Sequence, residues 1–139
     1  MLLSLLSPVL LILAFPNFNL NYLAFIGFVP LFFVIKKSSP KKAFLISFIA
    51  GFLFYAGALY WLYHVTVAGL IVLCLYLALY FGIFGVIFLL CTTCPAPSWC
   101  GVRYALFVTP LAWIFLEYIQ SHLFGGFGWA LLGYSQYKN

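Results

Sequence analysis

Acidic residues are almost absent from this sequence. Glu117 is the single acidic side chain in 139 residues. Glycoside hydrolysis, two-metal phosphoryl transfer and a calcium cage each need at least two carboxylates, so the sequence excludes all three. Charge of either sign is also scarce: 5% of the residues are charged, against about 25% in a soluble domain. The composition therefore excludes an ordinary water-soluble globular domain.

The longest stretch without any formal charge covers residues 43–102. One membrane-spanning helix needs about 20 apolar residues, so this stretch is too long for one span and suits two. We therefore predict an all-α integral membrane protein that forms a single transmembrane domain over residues 1–139, with about five transmembrane helices. The spans are predicted at residues 1–15, 20–35, 43–63, 65–91 and 104–124.

The basic residues are concentrated in one place. The formal net charge is +5, and four of the six Lys and Arg residues lie in one short loop: Lys36, Lys37, Lys41 and Lys42. A nucleic-acid site needs basic residues spread over a solvated face, so binding to nucleic acid is not expected. A short basic loop between apolar spans is typical of the cytoplasmic side. The N-terminus and Arg103 are then predicted to be cytoplasmic, and the loop 125–139 faces outward.

Cysteine chemistry does not indicate a metal or redox site. Cys91, Cys94 and Cys100 fall in one loop that contains no His, whereas a structural zinc site needs four ligands. A lone C-x-x-C without βαβ context is not a thioredoxin-like motif. The loop is also predicted to lie on the reducing, cytoplasmic side. We therefore predict ordinary thiols and no metal or cofactor.

Small residues predict where two of the helices meet. Close approach of helices in a membrane requires small side chains at the contact. One face of the third span carries Ser47, Gly51, Phe54 and Ala58 at helical spacing, and the fourth span carries Ala78 and Gly82. These positions are more typical of a packing seam than of a ligand site.

Glu117 is the most informative single residue. An acid within a span is costly and usually faces the bundle interior or a cavity. On a helix, Trp113, Gln120 and Ser121 share its face. Two interpretations remain open: a polar anchor at the mouth of an outward-facing cavity, or a structural carboxylate bonded to a neighbouring helix. A small stand-alone transporter or binding protein that uses Glu117 is the alternative function.

Several motifs, taken in order, resemble a known family. The chain has LAFPNFNL at residues 13–20, GFLF at 51–54, PLAW at 110–113 before Glu117, FGGFGW at 124–129 and GYSQ at 133–136. In this order and spacing they resemble the bacterial apolipoprotein N-acyltransferases. The resemblance covers nearly the whole chain.

The resemblance implies a function and a larger architecture. The family transfers an acyl chain from a phospholipid to the N-terminal amine of the diacylglyceryl-cysteine of an apolipoprotein, and it uses no cofactor. Its members have eight inner-membrane helices and a periplasmic nitrilase-like domain, where a Cys nucleophile, a Glu base and a Lys carry the reaction. This chain has no counterpart of that domain. It is expected to be the N-terminal part of the bundle, from a truncated, split or partial gene, with no catalytic residue and no activity alone.

The resemblance also implies site residues and partners. Lipid substrate would be positioned, or the catalytic domain supported, by Glu117, Phe127, Trp129, Tyr134, Ser135 and Gln136. The implied partners are the phospholipid acyl donor, the apolipoprotein, membrane lipids and a separately encoded remainder of the enzyme. Two positions depart from the family pattern: Gln120 stands where the family has Arg, and Gly128 stands where it has Pro.

Overall fold

The computed structural model describes residues 2–14, 20, 22–93 and 98–123. Regular structure in this part of the chain is entirely helical, which confirms the predicted all-α class. Two of the described helices, Pro40–Ala58 and Val67–Thr93, are long and apolar enough to cross a membrane. The elements in chain order are α1 (Leu2–Ala14), α2 (Leu23–Ile26), α3 (Val29–Ile35), α4 (Pro40–Ala58), a 3₁₀ turn (Tyr60–His64), α5 (Val67–Thr93) and α6 (Ser98–His122).

Successive segments of the bundle run in opposite directions. Gly27 at the start of the α2–α3 segment lies against Leu11 near the end of α1. Ser47 of α4 lies against Gly85 of α5, and Phe84 of α5 against Trp113 of α6. The described part of the chain therefore traverses the bundle five times in alternating directions, with the α2–α3 segment counted as one pass.

The second pass is a broken helix, and proline explains the break. Pro30 has no N–H and cannot donate to the carbonyl of Ile26, and Ile26 is the last residue of α2. The next amide, that of Leu31, donates instead to the Ser7 hydroxyl of α1 at 2.9 Å. This bond satisfies a buried N–H that the break would otherwise leave unpaired. Residues 20–35, predicted as one span, thus contain two short helices.

Two other helix bounds differ from the predicted spans. α4 ends at Ala58, and the 3₁₀ turn then carries the chain into α5. α6 begins at Ser98, inside the loop predicted for residues 91–103. Pro95 and Pro97 precede that start in the sequence and lie outside the described part of the chain. Residues 16–19, between the first two predicted spans, lie outside the described part of the chain.

The contact between α4 and α5 is built on small residues, which confirms the predicted seam. Gly51 of α4 is buried directly against the side chain of Phe81, and Gly82 of α5 lies against the ring of Phe44. Gly85 adds a third such contact, since it lies against Ser47. A side chain at these positions would occupy the space of its neighbour, so the two helices approach as closely as their backbones permit.

Replacing the seam glycines will destabilise the bundle. A Cβ at Gly51 would overlap the Cβ of Phe81, which cannot move without its backbone, and a Cβ at Gly85 would overlap Ser47. We expect G51A and G85A each to lower the free energy of unfolding by about 1–3 kcal/mol. Unfolding in mixed detergent–SDS micelles measures this change.

Gly69→Ala is the matched control. Gly69 lies in the same helix as Gly85, but its nearest side-chain atom would be 3.5 Å from an added Cβ. Alanine also has a higher helix propensity than glycine, by about 1 kcal/mol. G69A should therefore be neutral or stabilising, and an equal loss of stability in all three variants would contradict the seam.

Candidate site around Glu117

α6 presents one face to the rest of the bundle. The inward residues recur at helical spacing, and the most buried of them are Thr109, Leu116 and Gln120. The opposite face is open, with Phe107 72% and Phe115 63% exposed. α6 is therefore held along one side, and the polar residues on or beside that side define the candidate site.

Trp113 fixes the middle of α6 in an aromatic cluster. Its ring centroid lies 5.0 Å from Phe28, 5.0 Å from Phe81 and 4.8 Å from Phe84, all in edge-to-face geometry. Such aromatic pairs contribute about 0.5–1.5 kcal/mol each beyond the apolar area they bury. Phe81 also contacts Tyr55 edge-on at 5.8 Å, so one ring of α5 lies between α4 and α6.

Gln120 forms a buried polar contact between α4 and α6. The Tyr55 hydroxyl donates to Gln120 Oε1 at 3.2 Å, and both residues are 1% exposed. The two residues are 65 positions apart in the chain. A buried hydroxyl needs a hydrogen-bond partner, so this contact requires α4 and α6 to keep one relative arrangement.

Glu117 lies between these two anchors at the edge of the inward face. It is half-buried, one turn after Trp113 and three residues before Gln120. Its carboxyl group is close enough to Tyr55 to act on that side chain electrostatically. Nearer the C-terminal end of the same helix, the Ser121 hydroxyl donates to the carbonyl oxygen of Tyr118 at 2.8 Å.

Only part of the predicted site therefore lies among the described residues. The structure brings Glu117 together with Gln120, as the helical spacing predicted, but Ser121 bonds within its own helix. The predicted positions Phe127, Trp129, Tyr134, Ser135 and Gln136 lie outside the described residues. Tyr55 was not predicted, because the spacing of α6 says nothing about which side chain of α4 faces it. A tyrosine amid the apolar residues of α4 is the one signal the sequence offered.

Cys74 packs in the same apolar cluster as Tyr55, whereas Cys91 lies near the other end of α5. Cys74 is buried and Cys91 is half-buried, and both are free thiols. No group of three metal-ligating side chains occurs among the described residues, and Cys94 lies outside them. The side chains of Lys36 and Lys37 after α3, and of Lys41 and Lys42 in the first turn of α4, are exposed.

Truncating the Trp113 side chain should weaken the packing of α6 against the rest of the bundle. W113A removes the indole from contact with three aromatic rings, so we expect a loss of about 3–5 kcal/mol in the free energy of unfolding. Ile114, its neighbour, is 61% exposed, and I114A should change stability by no more than about 0.5 kcal/mol. Unfolding in mixed micelles compares the two, and equal losses would show that Trp113 is not an anchor.

Known proteins resemble this chain along nearly its whole length. Residues 7–139 match the apolipoprotein N-acyltransferase N-terminal domain. The chain is 38% identical to the apolipoprotein N-acyltransferase of Geobacter metallireducens, with 99% of this chain and 27% of that protein aligned. It is 34% identical to the apolipoprotein N-acyltransferase of Coxiella burnetii, over 96% of this chain and 29% of that protein. It is 30% identical to apolipoprotein N-acyltransferase 1 of Treponema denticola, over 99% of this chain and 25% of that protein.

The extent of these matches shows which part of the related proteins the described helices correspond to. The chain spans about a quarter of the length of these relatives. The match begins within α1 and continues through α6, so the bundle described above corresponds to the matched domain. The chain therefore belongs to the apolipoprotein N-acyltransferase family, through that family's N-terminal domain.

Proposed function

We propose that the chain is the membrane portion of an apolipoprotein N-acyltransferase. Such an enzyme transfers an acyl chain from a phospholipid to the N-terminal amine of the diacylglyceryl-cysteine of an apolipoprotein. The observation that carries the proposal is the match of residues 7–139 to the N-terminal domain of that family. In the family the covalent step belongs to the nitrilase-like domain, whereas residues 7–139 match the N-terminal domain. The chain contributes lipid-facing helices and is inactive alone.

The proposal includes five passes through the bacterial inner membrane, and the lengths of the three longest helices support it. α5 and α6 have 27 and 25 residues, which at 1.5 Å per residue is about 40 Å and 37 Å. A hydrocarbon core is about 30 Å thick. α4, with 19 residues, is just long enough. The apolar stretch of α1 and the broken α2–α3 pass are shorter, and their Pro-containing backbone is tolerated where neighbouring helices satisfy its polar groups.

The alternation of the passes supports an orientation. Because successive passes run in opposite directions, the end of α3, the start of α4 and the start of α6 share one end of the bundle. The exposed lysines Lys36, Lys37, Lys41 and Lys42 and the position of Arg103 all fall at that end. The positive-inside rule assigns this end to the cytoplasm. Glu117 and the segment 125–139 then belong to the periplasmic side.

The proposed role of Glu117 is to help position lipid substrate or to support the catalytic domain at the outer membrane face. Its location near the outer end of α6, half-buried beside Gln120, supports this role. A carboxylate there can accept hydrogen bonds from an amine or from hydroxyl groups of a lipid. The aromatic residues Phe127 and Trp129 and the polar residues Tyr134, Ser135 and Gln136 complete the proposed positioning set.

Lipoprotein N-acylation tests the function directly. In bacterial cells depleted of their own N-acyltransferase, a gel-shift assay distinguishes the acylated lipoprotein from its precursor. We expect no shift from these 139 residues alone, because they match the N-terminal domain and not the nitrilase-like domain that carries the reaction. Co-expression with the remaining part of the Geobacter metallireducens relative should restore the shift. Complementation by this chain alone would overturn its inactivity, and failure of the co-expressed pair would overturn the family role.

In the active pair, E117Q should raise the KM for the phospholipid donor about tenfold, which corresponds to about 1.4 kcal/mol. The reason is that the variant loses the charge but keeps the shape of the side chain. S121A is the control, since its hydroxyl bonds only within α6 among the described contacts. A wild-type KM in E117Q would remove Glu117 from the positioning set.

Cysteine labelling in spheroplasts tests the orientation. Tyr63 in the 3₁₀ turn and Ser39 in the basic loop are both exposed and lie at opposite ends of the bundle. A membrane-impermeant maleimide should label Y63C in intact spheroplasts and S39C only after lysis. The reverse pattern would contradict the orientation, and labelling of both sites from outside would contradict the membrane passes.

A further inference from the structure

After Trp113, the apolar contacts that limit the rotation of α6 about its own axis are those of Leu116 and Ile119. α6 packs chiefly on α5, and its other side carries exposed apolar residues such as Phe107 and Leu111. Apolar contacts are non-directional. A helix that packs along one side can therefore rotate by less than the angle between successive residues at little cost in free energy. Trp113 restricts the middle of the helix, but the half that follows it requires a further constraint.

The hydrogen bond between Tyr55 and Gln120 supplies a directional constraint. Hydrogen bonds weaken steeply when their geometry is distorted. The Tyr55 side chain reaches past α5, and its hydroxyl meets Gln120 Oε1 at 3.2 Å. Both side chains are fully buried, so water cannot replace the contact if α6 turns. Tyr55 is itself held, since its ring contacts Phe54 at 5.0 Å and Phe81 at 5.8 Å.

Glu117 is the residue most affected by this constraint. It lies within one turn of Gln120 on the same helix, at the edge of the buried face. Side chains reach about 5–6 Å from a helix axis, so a turn of about 40° moves a carboxylate by about 4 Å. This displacement is larger than the length of a hydrogen bond. It would move the Glu117 carboxylate either into the bundle or out toward lipid.

We propose that Tyr55 and Gln120 are positioning residues, whose hydrogen bond sets the rotation of α6 and thereby aims the Glu117 carboxyl group at lipid substrate. The proposal deepens the function given above and rests on the role assigned there to Glu117. Neither residue needs to touch the substrate. Their hydrogen bond keeps α6 in one rotational orientation among those that apolar packing permits.

Electron paramagnetic resonance tests the rotation without relying on enzymatic activity. Nitroxide labels are placed in turn at F115C and S121C, in the reconstituted protein with its native cysteines changed to alanine. Phe115 lies on the open face, beyond one edge of the inward face of α6, and Ser121 lies beyond the other edge. In Y55F, a turned helix will raise the oxygen accessibility of one label and lower that of the other. A helix that has only loosened will raise both.

Tyr80→Phe is the matched control for Y55F. It also removes a buried tyrosine hydroxyl, but that hydroxyl pairs with Tyr76 in its own helix α5. Y80F should leave both accessibilities unchanged. Q120M, which removes the acceptor at similar volume, should reproduce the opposed changes of Y55F. Unchanged accessibilities in Y55F and Q120M, or a rise at both labels, would overturn the proposal.

A double-mutant cycle in the active pair links the rotation to Glu117. Y55F and E117Q should each reduce N-acylation about tenfold, and the double variant should be no worse than E117Q alone, since both act on one group. Additive losses would show that Tyr55 does not act through Glu117 and would overturn the proposal. If the co-expressed pair acylates nothing, the family role fails, and the two labels still decide the rotation.

Discussion

The close approach of α4 and α5 at Gly51 is the constraint on which the rest of the bundle depends. Without a side chain at Gly51, Phe81 can lie flat against the backbone of α4. Phe81 then contacts Tyr55 on one side and Trp113 on the other. The spacing between α4 and α5 therefore also determines where α6 can sit, since α6 packs on the rings that this contact places.

Polar groups inside the bundle select among helix arrangements that apolar contacts alone do not distinguish. Ser7 accepts the amide that the α2–α3 break frees, and Gln120 accepts the Tyr55 hydroxyl between α4 and α6. Each bond joins segments that are far apart in the sequence. Dispersion and ring packing bring the helices together, and these few directional bonds select one arrangement among those of similar packing.

The sequence predicted the helices and their seam better than the site. Scarce charge and small residues at helical spacing suffice to predict α4, α5 and the contact at Gly51, because both signals are local. The break before Pro30 was missed since hydropathy does not register a lost N–H, and its partner Ser7 lies in another helix. The Gln120 position was predicted on the face of Glu117, whereas Tyr55 required knowledge of how α4 and α6 are placed.

The bond between Tyr55 and Gln120 also orders the events of biosynthesis. α4 and α5 follow each other directly in the chain and can pair as soon as both have left the ribosome, because their contact is local. The Tyr55 hydroxyl has to wait for Gln120, which is synthesised 65 residues later. Until α6 is in place, the nascent hairpin of α4 and α5 carries a polar group that is destined for burial. The docking of α6 is therefore the step that gives the Tyr55 hydroxyl its partner.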